Sequence, residues 1–231
     1  MTIPLSNRLK ACASFVPTGA VVADIGCDHG YLGIHLLVNG IAKSVIAADV
    51  NEQPLNSAVR NAEKYGVSDK MTFCLSDGTA CIPRDFDTMV CAGMGADTMI
   101  SILEAAPWLK DSSYTLILQC QSRRPELRRY LSQNSYAILE ETLAEDGKFI
   151  YPVMRVRYGS ASLLTPGQCH ISPALLHSGS PLLREFFDRV RGGIRKTVEG
   201  LEHSGGERLA TYKAILEEID NMEEIVYGNR S

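Results

Sequence analysis

A doubly wound α/β fold carrying a small helical appendage is predicted by three features of this sequence. Five short apolar runs recur over its first two thirds, helix-like segments lie between them, and glycines and aspartates gather where the runs end. Continuous apolar runs separated by helices are what a parallel sheet covered on both faces requires.

The runs occupy 21–26 (VVADIG), 44–50 (SVIAADV), 71–77 (MTFCLSD), 88–94 (TMVCAGM) and 114–120 (YTLILQC), and each reads as a strand. Segments 31–39, 52–66, 96–106 and 124–134 read as helices, which makes the strands mostly parallel. The rhythm then changes. Segments 136–145 and 149–158 are strand-like, with only Asp146, Gly147 and Lys148 between them. An Asp-Gly turn between strands signals a hairpin, so the sheet is expected to end in two hairpin-joined strands, at least one antiparallel to the rest. Residues 159–180 contain glycine, serine, Pro166 and Pro173, with Pro181 just beyond, and read as a linker or irregular excursion. Farther on, Leu183, Phe187, Val190, Ile194, Val198 and Leu201 recur at helical spacing, as do Leu209, Tyr212, Leu216, Ile219, Met222 and Val226. Ser204, Gly205 and Gly206 separate the two series, giving an α-helical hairpin with a short coiled-coil-like seam. The expected division is a sheet domain over 1–159 and a linker plus helical hairpin over 160–231.

Apolar residues make up 45% and charged residues 22% of the chain, enough for an ordinary core, which excludes global disorder. Lys and Arg number 23 against 27 Asp and Glu, for a net charge of −4. A chain-wide basic coat is excluded; a local basic patch is not. No apolar run reaches the roughly 18 residues of a membrane span, and the first ten residues lack the charged-then-apolar order of a signal peptide. Seven cysteines are scattered without a CxxC pair, which reads as reduced, buried thiols of a cytoplasmic protein rather than disulfides or a metal site.

The chemistry concentrates at 23–33 (ADIGCDHGYLG), where the first run meets the first helix. Its skeleton places Asp24, Gly26, Asp28 and Gly30 at alternate positions. Glycines at a strand-to-helix turn let the backbone approach a ligand. This is not the dinucleotide fingerprint GxGxxG, and Asp28 repels pyrophosphate. A cationic ligand suits it better, such as the sulfonium and ammonium of S-adenosylmethionine. The plainer alternative is a structural turn with a capping aspartate. Asp49 ends the second run, where an acid in such sheets bonds ribose hydroxyls, with Val50 beside it; a helix cap is the alternative. Asp77 and Gly78 end the third and suit an adenine amine or a plain turn. Gly93 and Met94 end the fourth, thinning the backbone and offering an apolar contact. The crevice of an open α/β sheet lies along these ends. The fourth end lacks the Asn/Asp-Pro-Pro-aromatic group typical of methylation at exocyclic base amines.

Together LSNRL (5–9), ADIGCDHGYLG, CAGMGAD (91–97), LILQ (116–119) and the LRRYL helix (127–131) resemble the bacterial tRNA (adenine22-N1)-methyltransferase family, in order over about 1–159. The chain departs from that pattern at Cys27, near Gly33, at Ala96 and at Cys120 and Gln121. The resemblance implies a class I, Rossmann-like methyltransferase that uses S-adenosylmethionine to modify adenine N1 in tRNA. It implies a cofactor site of Asp24, Gly26, Cys27, Asp28, Gly30, Asp49, Val50, Asp77, Gly78, Gly93 and Met94, with no metal. Asp28 is then the candidate catalytic carboxylate, able to stabilise the developing charge, orient the N6 amine or take its proton. His29 and Tyr31 are secondary candidates, each with a structural alternative.

A tRNA substrate needs phosphate contacts. Arg123, Arg124, Arg128 and Arg129 lie within seven residues with only Glu126 opposing. Arg191, Arg195 and Lys196 lie in a locally basic first tail helix, whereas 199–224 hold eight acids and two bases. The two tail helices therefore either neutralise one another or present the basic one to RNA. Arg8 joins the candidate RNA contacts. A small-molecule methyltransferase, a nicotinamide-dependent oxidoreductase and a non-catalytic partner-binding chain are the competing readings, and a monomer or weak homodimer is left open.

Overall fold

The structure, a computed structural model, describes residues 3–202 and 205–228. Seven strands form one sheet: β1 (Ala20–Ile25), β2 (Ala42–Asp49), β3 (Met71–Leu75), β4 (Thr88–Met94), β5 (Thr115–Cys120), β6 (Tyr136–Asp146) and β7 (Phe149–Tyr158). Their spatial order is β3-β2-β1-β4-β5-β7-β6. The first five are parallel, and β7 runs antiparallel to both β5 and β6. The central strands are covered on both faces, with β5 buried at all six positions and β1 at five of six, whereas the edge strand β3 is exposed at Thr72 and Leu75.

Helices α2 (Tyr31–Val38), α3 (Glu52–Tyr65), α4 (Ala96–Ala105) and α5 (Arg124–Gln133) follow β1, β2, β4 and β5. Two apolar clusters form, one on each face of the sheet, around Ile25, Met89 and Leu116 and around Val22, Ile34 and Val45. An additional helix, α1 (Asn7–Ser14), precedes β1. It buries Cys12 and Ala13 and packs against β6. Its eight residues carry too short an apolar stripe to stand out from the sequence.

The segment expected as a linker is packed. It contains α6 (Pro166–His170) and α7 (Pro173–Leu176), with Cys169, Ile171, Ser172 and Leu175 all buried. Thr165 and Gln168 form a capping box at the start of α6. Pro166 and Pro173, two of the three prolines that suggested a break, stand at first-turn helix positions, where they fit, and Pro181 lies in the turn just before the last two helices. The tail helices are α8 (Leu183–Leu201) and α9 (Glu207–Tyr227). Ser204 of the expected turn lies outside the described residues. A third apolar cluster joins Phe187, Ile194, Ile215 and Ile219 of the tail to Leu143 and Ile150 of the β6–β7 hairpin.

One polar node ties these layers together. Arg128 on α5 is fully buried and pairs with buried Glu141 on β6 through its Nη2, with Nε 3.4 Å from the other oxygen. Its Nη1 donates to the carbonyls of Cys169 and His170 at 3.0 and 3.2 Å. The Ser172 hydroxyl donates to Glu141 and accepts the Leu175 N–H at 3.0 Å. A buried charge is tolerable only when paired and hydrogen-bonded in this way.

Five cysteines are buried, Cys74 is half-buried, and Cys81 is exposed. The expectation that all are buried fails at Cys81, because it lies in the turn after β3 rather than in a strand.

Candidate active site

The strand order reverses between β1 and β4, so their C-terminal ends splay the following loops apart and leave a crevice. After β1 the chain turns through Gly26, Asp28 and Gly30, all with left-handed φ of 73°, 50° and 73°. Glycine adopts this conformation freely, and aspartate is among the few other residues that tolerate it. Strand β2 pins the turn. Ala48 O accepts the N–H groups of Gly26 and Cys27 at 2.8 and 2.9 Å, and Asp49 Oδ2 accepts that of Asp28 at 3.1 Å. Asp49 Oδ1 accepts the Asn51 N–H at 2.9 Å, just before α3. One carboxylate thus sets two loops and retains free lone pairs for ligand hydroxyls.

Asp24 forms the floor. It is 3% exposed, and its Oδ2 has no hydrogen-bond partner among the described residues. Burial raises its carboxyl to about 7; the Gly33 N–H opposes this and the Asp49 charge reinforces it. The facing wall comes from β4. A Cβ at Gly26 would lie 2.3 Å from Met94 Cε, the far end of a side chain that can swing aside, so it is the left-handed φ of 73° that asks for glycine where the two loops meet. Burial also pushes the Cys27 thiol up, so it stays neutral as a lining group.

Arg8, expected as a phosphate contact, stands in this wall. Its Nη1 donates to Gln119 Oε1 at 3.1 Å, and its Nε lies 3.5 Å from Asp146 Oδ2. The same Gln119 oxygen accepts the Gly93 N–H at 3.0 Å. Gln119 is fully buried and its Nε2 has no partner among the described residues. Its role was not foreseen from sequence; the signal available was a lone amide ending the apolar run TLIL. The resulting cavity is about 280 Å³ and is lined by Arg8, Asp24, Asp28, Tyr31, Gly93 and Met94 among others. Asp28 and His29 are exposed at its rim, with Oδ1 and Nε2 3.5 Å apart, and Tyr31 is half-buried. Gly30, Asp49, Val50, Asp77 and Gly78 are not in the cavity wall; Asp49 is the last residue of β2, and the others lie in the loops after β1, β2 and β3.

This donor set fits S-adenosylmethionine. A buried, unpartnered carboxylate oxygen receives a cation, and a second acid on β2 accepts hydroxyls.

The candidate RNA contacts are not brought together as one surface. Arg128 is excluded because it is buried against Glu141. Arg191 is held by Asp188, Asp220 and Glu223, so the two tail helices neutralise one another there. Arg123 is exposed but paired with Asp97 and Glu126, and Arg124 is half-buried. Arg129, Arg195 and Lys196 are exposed. Among the described residues, no helix is long and apolar enough to cross a membrane. No group of three or more His, Cys, Asp or Glu among them could hold a metal ion.

The family described as "Methyltransferase domain" matches residues 5–154. A Bacillus subtilis tRNA (adenine(22)-N(1))-methyltransferase is 34% identical over 205 residues, which is 87% of this chain and 83% of the relative. The solved B. subtilis M1A22 tRNA methyltransferase superposes with a TM-score of 0.79 at 26% identity, covering 97% of this chain and 98% of that one. A Streptococcus pneumoniae protein solved in complex with S-adenosyl-L-methionine superposes at 0.82 with 29% identity, covering 94% and 99%. With its acid-floored crevice at the sheet's switch point, the chain belongs to the tRNA (adenine22-N1)-methyltransferase family.

Proposed function

We propose that this protein transfers a methyl group from S-adenosylmethionine to N1 of adenine 22 in tRNA, in the cytoplasm. The observation that carries this reading is the crevice between β1 and β4, with the buried, unpartnered Asp24 oxygen under a glycine turn held open by Asp49. The B. subtilis relative, named for this activity, supports the substrate.

The cofactor supplies an electrophilic methyl carried on a sulfonium. Adenine N1 needs no base to become nucleophilic, because its lone pair is exposed once the base is unpaired. In the transfer, the N1–carbon bond forms as the sulfur–carbon bond breaks, and the positive charge moves to the adenine ring. The protein's work is therefore positioning and charge stabilisation. Asp24 and Asp49 hold the donor, Gly93 leaves space for the base, and Met94 offers it an apolar contact. Asp28, at the rim, places a carboxylate where the ring becomes cationic. Arg8, braced by Gln119 and Asp146, orients the incoming base from the β4 side. In this reading, residues 1–159 form the methyltransferase domain and 160–231 the appendage.

The test is methyl transfer from labelled S-adenosylmethionine to unmodified bacterial tRNA, followed by nucleoside analysis. A 1-methyladenosine product, absent from tRNA with adenine 22 replaced, is the expected result. Incorporation into another nucleoside overturns the assignment.

A further inference from the structure

A second cavity, of about 320 Å³, lies between α5 and the tail helices, away from the cofactor crevice. Four arginines line it, Arg123, Arg124, Arg128 and Arg189, together with His170, and no carboxylate does. The acids that pair with three of these arginines, Asp97, Glu126, Glu141 and Glu185, stand outside the lining. Arg124 has no carboxylate partner among the described residues. It donates to Ile150 O at 3.2 Å and lies over the Phe186 ring at 5.7 Å. Burial and the neighbouring Arg128 charge both act against its own charge. The same surroundings hold His170 neutral, its ring lowered to about 4 by burial and then by Arg128. The groove thus holds one half-buried guanidinium without a carboxylate partner among the described residues, Arg124, beside three whose paired acids stand outside its lining.

Its far wall holds a second oddity. Helix α8 carries Gly192 and Gly193 in its middle, where glycine weakens a helix. A Cβ at either position would meet nothing within 4 Å, so no packing within the chain asks for glycine. Gly193 lines the groove and Gly192 does not. A bare helix backbone facing guanidinium groups leaves room for a ligand to approach closely.

We propose that this groove is a phosphate seat, formed by Arg124 and Arg189 across from Gly193, and that it holds a backbone phosphodiester of the RNA substrate. The RNA source rests on the function proposed above; the phosphate chemistry does not. Arg189 is held toward the β6–β7 turn by Lys148 O at 2.7 Å, so the seat joins the sheet to the tail. A tRNA held there is gripped by both parts of the chain at once.

The test places a carboxylate in the seat at a position with open space. Gly193→Glu is compared with Gly192→Glu, which adds the same charge and the same helix preference outside the groove. Binding of unmodified bacterial tRNA is measured against salt. Inorganic phosphate is titrated separately, following backbone amide shifts of residues 123–129 and 189–197. The expected result is about a tenfold loss of tRNA affinity for Gly193→Glu, with a salt slope shallower by about one. Gly192→Glu is expected within twofold of wild type, and S-adenosylmethionine affinity is expected unchanged in both. Loss of the phosphate shifts with unchanged tRNA affinity keeps the seat and assigns it to a free phosphate. Unchanged tRNA and phosphate binding in Gly193→Glu overturns it. If wild type methylates no tRNA, the function reading falls, and the phosphate titration still decides the seat.

Discussion

Asp49 at the end of β2 accepts the backbone N–H of Asp28 at 3.1 Å, so the conformation of the β1 turn is set by its neighbouring strand. Asp28 sits in a left-handed conformation that aspartate tolerates and that this bond fixes. Replacing Asp49 with alanine removes the acceptor for both Asp28 and Asn51. A loss of about 1–3 kcal/mol in stability is expected, with at least a tenfold loss of cofactor affinity. Denaturant unfolding and calorimetric titration measure the two. Asp49→Asn keeps an acceptor and is expected to lose less of both; equal losses would remove the role given to the Asp28 bond.

Asp24 predicts a pH dependence with a definite sign. Its carboxyl is raised to about 7 in the fold from an ordinary value of 3.8. Protonated Asp24 therefore favours the folded state; this contribution is complete below about pH 4 and is lost as pH rises through about 7. The ligand-free protein is expected to lose stability across that window by up to about 1.4 kcal/mol per pH unit from this group. Asp24→Asn is expected to flatten that slope. A cationic cofactor favours the ionised carboxylate, so its affinity should rise by up to about tenfold per pH unit below pH 7 and level off above it. Titrations in buffers of different ionisation enthalpy should show proton release on binding. A pH-independent affinity would place the cation elsewhere.

The Gly26 turn separates backbone strain from crowding. Gly26 and Gly40 share a left-handed φ, 73° and 66°, but only at Gly26 would a Cβ meet a neighbour, Met94 Cε. Gly40→Ala is expected to cost about 1 kcal/mol from strain alone. Gly26→Ala is expected to cost about the same in stability, since the Met94 terminal methyl can swing aside, and to weaken cofactor binding at least tenfold as that methyl is pushed into the crevice. Unchanged cofactor affinity in Gly26→Ala would dismiss the contact with Met94.

The Arg128–Glu141 pair predicts asymmetric mutational behaviour. Arg128→Met strands a buried carboxylate and is expected to destabilise by about 3–5 kcal/mol. In a chain of this length that is a fall of roughly 6–20 °C in melting temperature. Removing both charges, with Arg128→Met and Glu141→Leu, is expected to recover part of the loss. A double variant less stable than Arg128→Met alone would show that the backbone and Ser172 hydrogen bonds matter more than the buried charge.

Much of this molecule is local in origin and was therefore readable from sequence. The five apolar runs become β1 to β5, and the Asp-Gly turn joins β6 to β7, because strand runs and turn chemistry act over a few residues. The crevice motif was legible for the same reason, since Asp24, Gly26, Asp28 and Gly30 lie within one turn. The short α1 and the packed α6–α7 segment were not legible, as their burial depends on elements far along the chain.

The tertiary structure alone decided what each charge does. Seen in sequence, Arg128 and Arg129 are neighbours of one kind; in the fold one is a buried partner of Glu141 and the other is solvent-exposed. Arg8, with no marked partner nearby in the chain, reaches Gln119 and Asp146 to wall the crevice. Residue type sets whether a group can carry charge, and short-range pattern sets the element it rides on. Its surroundings, which fix solvation and ion pairing, come from segments up to a hundred and more residues away, and only folding brings those together.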